Sequence, residues 1–198
     1  MKNIPSESSR FAKNLGKRSL TFLELDAKNP SRTPRIFKRR MLSVDLDGTV
    51  ADITLRKEYA LQFGVDGSIE FYEALLDGNQ YTLDQPILAA RDFLNQYVRD
   101  TKGEIIYLSG RREGTEGDSQ AWLTKHNFPR GRVIHRAKGH RSLDFKCSWL
   151  RQFKETRWVD AHIGDRLEDD ANASRFSGVK FLHVVDHVWP SYESFMKR

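Results

Sequence analysis

The sequence predicts an α/β protein built on an open, doubly wound parallel sheet with helices on both faces. From residue 41 onward, short apolar blocks alternate with longer segments of helical periodicity, which is the pattern of parallel βαβ units. Three of the apolar blocks stop at polar loops that contain glycine, as strands do where a ligand crevice opens at the carboxyl edge of such a sheet. Residues 41–198 are numerous enough to enclose one hydrophobic core.

Each element of the predicted fold follows from its own local pattern. Aliphatic blocks bounded by turn residues predict strands at residues 41–46, 104–108, 132–135, 158–163 and 179–185. Apolar residues at helical spacing predict helices at residues 86–99, 119–126, 142–153 and 167–175. We expect Pro86 in the first turn of the first helix and Asp118 as the cap of the second.

Residues 52–85 interrupt this alternation between the first strand and the first helix. The segment holds two apolar patches, at residues 59–63 and 69–76, separated by turn residues such as Asp66-Gly67. It is too short to enclose an independent core. The sequence therefore predicts a small flap, or cap, at the end of the first strand.

The positive charge of the chain is concentrated at its start. The formal net charge is +6, yet residues 1–40 hold 11 Lys+Arg against 3 acids, whereas residues 41–198 hold 22 against 24. This division excludes a uniformly basic nucleic-acid-binding globule and predicts a basic arm, residues 1–40, in front of a nearly neutral domain, residues 41–198. The arm is interpreted as a solvated tail, a nucleic-acid tether or a transit segment, and the sequence leaves these alternatives open.

Cysteine content and hydropathy give expectations about the compartment. A single cysteine, Cys147, excludes an internal disulfide and cysteine-based zinc sites, which fits a reducing compartment. No apolar run approaches the roughly 18 residues of a membrane span. We therefore expect a soluble, cytoplasmic protein without a membrane partner.

Acidic residues at the predicted strand ends point to metal-assisted chemistry. Asp45 and Asp47 alternate with aliphatic residues, so both carboxylates face the same side of the strand. Asp165 follows another strand at the same edge of the sheet. Like charges this close require compensation, and a hard divalent cation such as Mg²⁺ supplies it through oxygen ligands. With a phosphate ester of about −2 charge, the site becomes neutral once Mg²⁺, Lys146, Arg111 and Arg56 are counted.

Four sequence motifs resemble those of the haloacid dehalogenase (HAD) superfamily. Residues 45–50, Asp-Leu-Asp-Gly-Thr-Val, resemble its first motif, and Leu108-Ser109-Gly110-Arg111 resembles its second. Lys146 suits the third motif, and residues 164–170 are similar to the fourth. The motifs occur in the family's order, each at the end of a predicted strand or in a predicted helix. The resemblance implies the HAD fold and a phosphatase activity.

A narrower resemblance concerns residues 109–118, which are similar to the 3′-phosphatase domain of phage polynucleotide kinases. Arg56 and Arg111 match arginines of that family by spacing. Two positions depart from its pattern: Ser142 stands where an aspartate is common before the lysine, and Gly164-Asp165 replaces an Asp-Asp pair. The substrate implied by this resemblance is a phosphorylated nucleic-acid end.

The resemblance implies a role for each motif residue. Asp45 is expected to attack phosphorus, and Asp47 to act as acid and then base. The expected metal ligands are Asp45, Asp47 through its main-chain carbonyl, and Asp165, with Asp169 as a supporting partner. The expected phosphate-binding residues are Thr49, Arg56, Ser109, Gly110 and Arg111, and Lys146 and Arg111 are expected to stabilise the transition state.

Two other functions remain open at this point. The same motifs suit a phosphatase for mononucleotides or other small phosphate esters. A nucleic-acid-binding accessory protein on a phosphatase scaffold is the third possibility, although the intact set of Asp45, Asp47, Lys146 and Asp165 argues for activity.

Overall fold

The computed structural model describes residues 39–197. The predicted basic arm therefore lies outside the described residues, except for Arg39 and Arg40. Arg40 already belongs to the first strand, where it pairs with Trp158 of a neighbouring strand.

A parallel sheet of five strands forms the centre of the fold, in the spatial order β5-β4-β1-β6-β7. The strands are β1 (Arg40–Val44), β4 (Glu104–Arg112), β5 (Gly131–Arg136), β6 (Trp158–Gly164) and β7 (Phe181–His183). Every neighbouring pair is parallel. Because the chain moves outward from β1 first to one side and then to the other, this is a doubly wound sheet, and the predicted fold class is confirmed.

Helices cover both faces of the sheet. They are α3 (Leu88–Thr101), α4 (Glu116–Lys125), α5 (Ser142–Thr156), α6 (Asn172–Ser177) and α7 (Tyr192–Met196), together with a π-helix (Leu167–Ala171) before α6. Leu42 of β1 packs in a cluster with α3, α4 and α7, whereas Met41 packs on the other face against α5 and α6. Among residues 39–197, no helix has the length and apolar character that a membrane span requires.

Several predicted boundaries differ from the structure for local reasons. Pro86 is not in the first turn of α3: it pairs with Ala51, and the helix begins two residues later. Asp118 does not cap α4, because the helix begins at Glu116 and Asp118 lies in its first turn. There its charge still interacts favourably with the helix dipole.

The strand β4 is longer than predicted. It continues through Ser109 and Gly110 to Arg112, where pairing with Arg136 of β5 resumes after an irregularity. A residue pattern that indicates a loop therefore forms a bulged strand end, which keeps Ser109 and Gly110 at the edge of the sheet.

The segment predicted as a flap is an insertion between β1 and α3. It contains a two-stranded antiparallel sheet, two short helices and a 3-10 helix: β2 (Ala51–Asp52), α1 (Thr54–Ala60), α2 (Ile69–Leu75), the 3-10 helix (Gly78–Leu83) and β3 (Gln85–Pro86). The side chain of Ser68 caps α2 by accepting a hydrogen bond from the amide of Phe71 at 3.1 Å. Ala60, Phe71 and Leu75 form a small apolar cluster of their own.

Candidate active site

A cavity of about 690 Å³ opens at the carboxyl edge of the sheet. Its floor comes from the residues that follow β1, the end of β4 and the loop after β6, and the flap forms one wall. Asp45, Asp47, Ser109, Lys146 and Asp165 all line it. The structure thus brings together side chains from three strand ends and from α5.

The loop after β1 is held rigidly at the floor of the cavity. The amide of Asp45 donates to the carbonyl of Ile163 at 2.8 Å, which extends the hydrogen bonding between β1 and β6. Gly48 has φ of +75° and donates to the carbonyl of Ala51 at 2.8 Å. A Cβ atom at Gly48 would collide with the carboxylate of Asp165. This position therefore requires glycine both for its backbone conformation and for the close approach of Asp165.

Lys146 lies between two buried carboxylates. Its Nζ is 3.0 Å from Oδ1 of Asp45 and 2.5 Å from Oδ1 of Asp170. Burial raises the pKa of Asp45 well above its usual range, and the charge of Asp170 adds to this, while Lys146 opposes both. Burial would lower the pKa of Lys146, but the charges of Asp45 and Asp170 outweigh it and raise that pKa. Lys146 is therefore a fixed positive charge beside Asp45.

Asp170 is the centre of a buried hydrogen-bond network. Besides Lys146, its carboxylate contacts Nε2 of His162 at 2.9 Å and accepts from the amide of Arg166 at 3.2 Å. Nδ1 of His162 in turn lies 3.0 Å from the hydroxyl of Ser43. Burial would raise the pKa of Asp170, yet Lys146 and His162 outweigh it and hold that pKa below its usual range.

Three neighbouring carboxylates fit a divalent cation, two of them on the cavity floor and the third, Asp170, buried beside it. Asp45, Asp165 and Asp170 each present an oxygen within 4.8 Å of the others. Burial and the charge of Asp170 raise the pKa of Asp165. Three ionised carboxylates this close together are electrostatically unfavourable unless a cation compensates their charge. Carboxylate oxygens are the ligands that hard cations such as Mg²⁺ prefer.

Asp169, the predicted supporting ligand, is not part of this group. Its carboxylate is 3.7 Å from the guanidinium of Arg166 and lines the cavity wall. The backbone here winds as a π-helix, in which the amide of Ala171 donates to the carbonyl of Arg166, five residues earlier. This wider turn directs Asp170, and not Asp169, toward Lys146.

Asp47 lies beside two arginines. Arg56 donates to its Oδ1 at 2.6 Å, and Arg111 donates to the same oxygen at 2.8 Å through Nε. Burial would raise the pKa of Asp47, but the charges of Arg111 and Arg56 outweigh it and hold that pKa well below its usual range. Asp47 is consequently a carboxylate whose position is fixed.

The same two arginines share a fully buried partner from the flap, Asp84. Arg56 donates to Oδ1 of Asp84 at 2.7 Å and Arg111 to Oδ2 at 2.6 Å. The ring of Tyr81 lies under both guanidinium groups, 4.0 Å from Cζ of Arg111 and 4.8 Å from Cζ of Arg56. The flap thereby completes the surroundings of Asp47. We refer to Asp47, Arg56, Tyr81, Asp84 and Arg111 as the arginine clamp.

The predicted phosphate-binding residues fall into two groups. Ser109 and Gly110 line the cavity. Thr49, Arg56 and Arg111 do not line it: all three are buried, with the hydroxyl of Thr49 donating to Asp165 at 3.4 Å. The two arginines contact Asp47 on the side away from the cavity. The clamp therefore positions the carboxylate of Asp47, and its arginines do not form the cavity surface.

Residues that the sequence interpretation did not identify are Tyr81, Asp84, His162 and Asp170. Asp170 stands beside Asp169 in the fourth motif, and only the local helix geometry distinguishes the two. Tyr81 and Asp84 lie in the flap, where no motif marks them.

The lining of the cavity is amphipathic. Phe71, Tyr72 and Leu75 of the flap provide apolar surface, and Lys57 and Arg136 provide positive charge. Such a lining suits a phosphate ester whose organic portion has its own apolar or aromatic surface.

Comparison with known proteins identifies one family and several similar folds. The sequence model of the family described as PITM 1-3, LNS2 domain matches residues 61–173. No curated protein matches the sequence. Among solved structures, the class C acid phosphatase of Bacillus anthracis with tungstate bound has a TM-score of 0.56 and 16% identity, over 81% of this chain and 72% of that one.

Two further structures confirm the fold. A chain of the Pnkp1/Rnl/Hen1 RNA repair complex has a TM-score of 0.57 and 16% identity over 75% of this chain. The present chain spans 43% of the length of that chain. The HAD domain of the Legionella pneumophila effector Lem4, in an inactive mutant, has a TM-score of 0.50 and 14% identity, over 81% and 92% of the two chains. The fold is therefore HAD-like.

Proposed function

The chain belongs to the family of the PITM 1-3 LNS2 domain, and we propose that it is a Mg²⁺-dependent phosphomonoester hydrolase that acts through an aspartyl-phosphate on Asp45. The observation that carries this proposal is the position of Asp45 on the cavity floor, with Lys146 at 3.0 Å and the carboxylates of Asp165 and Asp170 beside it. A carboxylate nucleophile, a fixed cation and a cation-binding group are the parts that such a reaction needs.

Asp45 carries out the first step. Its carboxylate oxygen forms a bond to phosphorus, and the bond between phosphorus and the ester oxygen breaks. Lys146 stabilises the negative charge that develops on the phosphoryl oxygens, together with the hydroxyl of Ser109 and the backbone at Gly110, which line the same cavity.

Asp47 transfers the proton in both steps. It gives a proton to the departing ester oxygen, and in the second step it accepts one from the water that attacks phosphorus and releases inorganic phosphate and Asp45. Its low pKa in the free protein favours the second role. A phosphate dianion in the cavity raises this pKa, because like charges repel, and so favours protonation for the first role.

The residues that would hold Mg²⁺ are Asp45, Asp165 and Asp170. When bound, the ion supplies positive charge that offsets the carboxylates and polarises a phosphoryl oxygen.

The proposed substrate is a polynucleotide with a 3′-phosphate. Support comes from the similarity of residues 109–118 to the phage 3′-phosphatase domain and from the exposed ring of Tyr72 in the cavity wall, against which a terminal base can pack. The fold shared with a chain of an RNA repair complex agrees with this choice.

A panel of substrates tests the proposal. It compares an oligonucleotide carrying a 3′-phosphate, one carrying a 5′-phosphate, nucleoside 3′- and 5′-monophosphates and a chromogenic aryl phosphate, each with Mg²⁺ and with EDTA. We expect the highest kcat/KM for the 3′-phosphorylated oligonucleotide and loss of all activity in EDTA. Equal or higher kcat/KM for the small esters would assign the enzyme to small phosphate esters, and absence of hydrolysis would reject the phosphatase.

A further inference from the structure

A second cleft lies at the opposite edge of the sheet, by the amino ends of β4 and β5. It has a volume of about 490 Å³, and its lining includes the buried apolar residues Met41, Ile106 and Phe153. Ser109 in the active-site cavity lies five residues along β4 from Glu104 in this cleft, which places the two sites about 16 Å apart. The cleft is therefore separate from the proposed active site.

Arginines dominate the charge of this cleft. Among the described residues that line it are three arginines, Arg130, Arg132 and Arg157, and one acid, Glu104. Glu104 is already paired, with Arg157 at 3.3 Å and with Arg39 at 3.3 Å. Within residues 39–197, neither Arg130 nor Arg132 forms an ion pair, and both are exposed. Two guanidinium groups are therefore available to an external anion.

One of these guanidinium groups is held in place by an aromatic ring. Cζ of Arg132 lies 5.1 Å from the centre of the Trp149 ring, in a cation–π arrangement. One face of the guanidinium plane is covered by the indole, and the exposed remainder can stack on a nucleobase or bind a phosphate through two parallel hydrogen bonds. A rigid arginine loses less conformational entropy on binding than a mobile one.

We propose that this arginine cleft, lined by Arg130, Arg132, Arg157 and Trp149, binds the backbone of a single-stranded nucleic acid. Among the described residues of the cleft, positive charge comes from arginine alone, which favours a nucleic acid over an acidic peptide because the guanidinium plane stacks on bases as well as binding phosphate. The chain also reaches β1 at this edge of the sheet, and the sequence before β1 is rich in Lys and Arg. This site does not depend on the proposed phosphatase activity.

The test measures binding of the full chain to a fluorescent single strand with a 3′-hydroxyl, which offers no phosphate to the active site. Fluorescence anisotropy with a strand of about 20 nucleotides compares wild type with Arg130→Ala/Arg132→Ala. We expect the double variant to raise Kd about five-fold or more and to make the slope of log K against log salt shallower by about 1.4. A matched control, Arg99→Ala/Lys125→Ala, removes equal charge elsewhere and should change Kd less than about two-fold.

A second variant separates charge from shape. Arg132→Lys keeps the charge but loses the planar group beside Trp149, so it should also weaken binding. Unchanged melting temperature and unchanged hydrolysis of the aryl phosphate would show that the variants fold. The proposal is wrong if wild type does not bind the strand, if both double variants weaken binding equally, or if poly-glutamate competes as well as the oligonucleotide.

Discussion

Nζ of Lys146 lies 3.0 Å from Oδ1 of Asp45 at the floor of the cavity. Lys146 is 2% exposed at its side chain, and Asp170 holds it from the other side. A cation in this position favours the ionised form of Asp45 against the effect of its burial, and it faces the oxygens of a phosphoryl group bound there.

Lys146→Met should lower kcat about 100- to 1,000-fold, because the transition state loses a fixed positive charge. The variant also leaves Asp45 and Asp170 without their shared cation, so its melting temperature should fall. Steady-state kinetics at a temperature where the variant is folded checks this. Lys125→Met in α4 is the control, and a kcat for Lys146→Met within ten-fold of wild type would contradict the assigned role.

Mg²⁺ binding should be measurable as a rise in melting temperature, without an activity assay. Saturating Mg²⁺ stabilises the folded protein by about 2.7 kcal/mol at 100 times Kd, which corresponds to a rise in melting temperature of about 5–10 °C. Asp165→Asn should abolish this rise, because Asp165 belongs to the group of three carboxylates. Asp169→Asn should retain it. If Asp169→Asn abolished the rise and Asp165→Asn retained it, Asp169 and not Asp165 would be the ligand.

The stability of the protein should depend on Asp84, the carboxylate that the flap supplies to the arginine clamp. Asp84→Asn removes the charge shared by Arg56 and Arg111, and breaking a buried pair of this kind costs about 3 kcal/mol of unfolding free energy. Chemical denaturation measures the difference. Asp92→Asn, at an exposed pair with Arg91, is the control and should have almost no effect. Equal effects of the two variants would contradict a structural role for Asp84.

His135 should make the fold sensitive to acid. Its side chain is buried, and Nδ1 lies 3.0 Å from the carbonyl of Arg112. Nε2 is buried and has no hydrogen-bond partner among residues 39–197. Burial lowers the pKa of His135. In the unfolded chain its pKa is about 6.5, so the unfolded state binds the proton first and stability falls as pH drops below that value.

Replacing His135 tests this pH dependence. His135→Asn keeps an amide that can donate to Arg112 but does not titrate, so unfolding free energy should fall less between pH 7.5 and pH 5 than in wild type. His140→Asn, at an exposed histidine, is the control. If unfolding free energy fell equally with pH in His135→Asn and in wild type, His135 would not contribute to the pH dependence of stability.

The elements of the fold that depend on periodicity were predictable from the sequence. The alternation of apolar blocks and helical segments gave the parallel sheet, and the rule that parallel strands end at one edge brought Asp45, Ser109 and Asp165 together. Such rules predict where a residue lies along the backbone of the fold.

Side-chain direction was not predictable in the same way. Spacing placed Arg56 and Arg111 near the site. Only the structure shows that they lie on the side of Asp47 away from the cavity and bind Asp84. A single π-helical turn directs Asp170, and not Asp169, toward Lys146. Both outcomes depend on contacts between segments distant in sequence, or on a local change in helical winding, that one sequence does not reveal.

Chemical trapping at Asp45 tests the covalent aspartyl-phosphate most directly. Wild type is mixed with 3′-phosphorylated oligonucleotide and Mg²⁺, quenched in acid within a turnover and analysed by mass spectrometry. We predict a covalent phosphate on the peptide that contains Asp45, together with hydrolysis that Asp45→Asn abolishes. Hydrolysis that survives unchanged in folded Asp45→Asn protein would show that Asp45 is not the nucleophile.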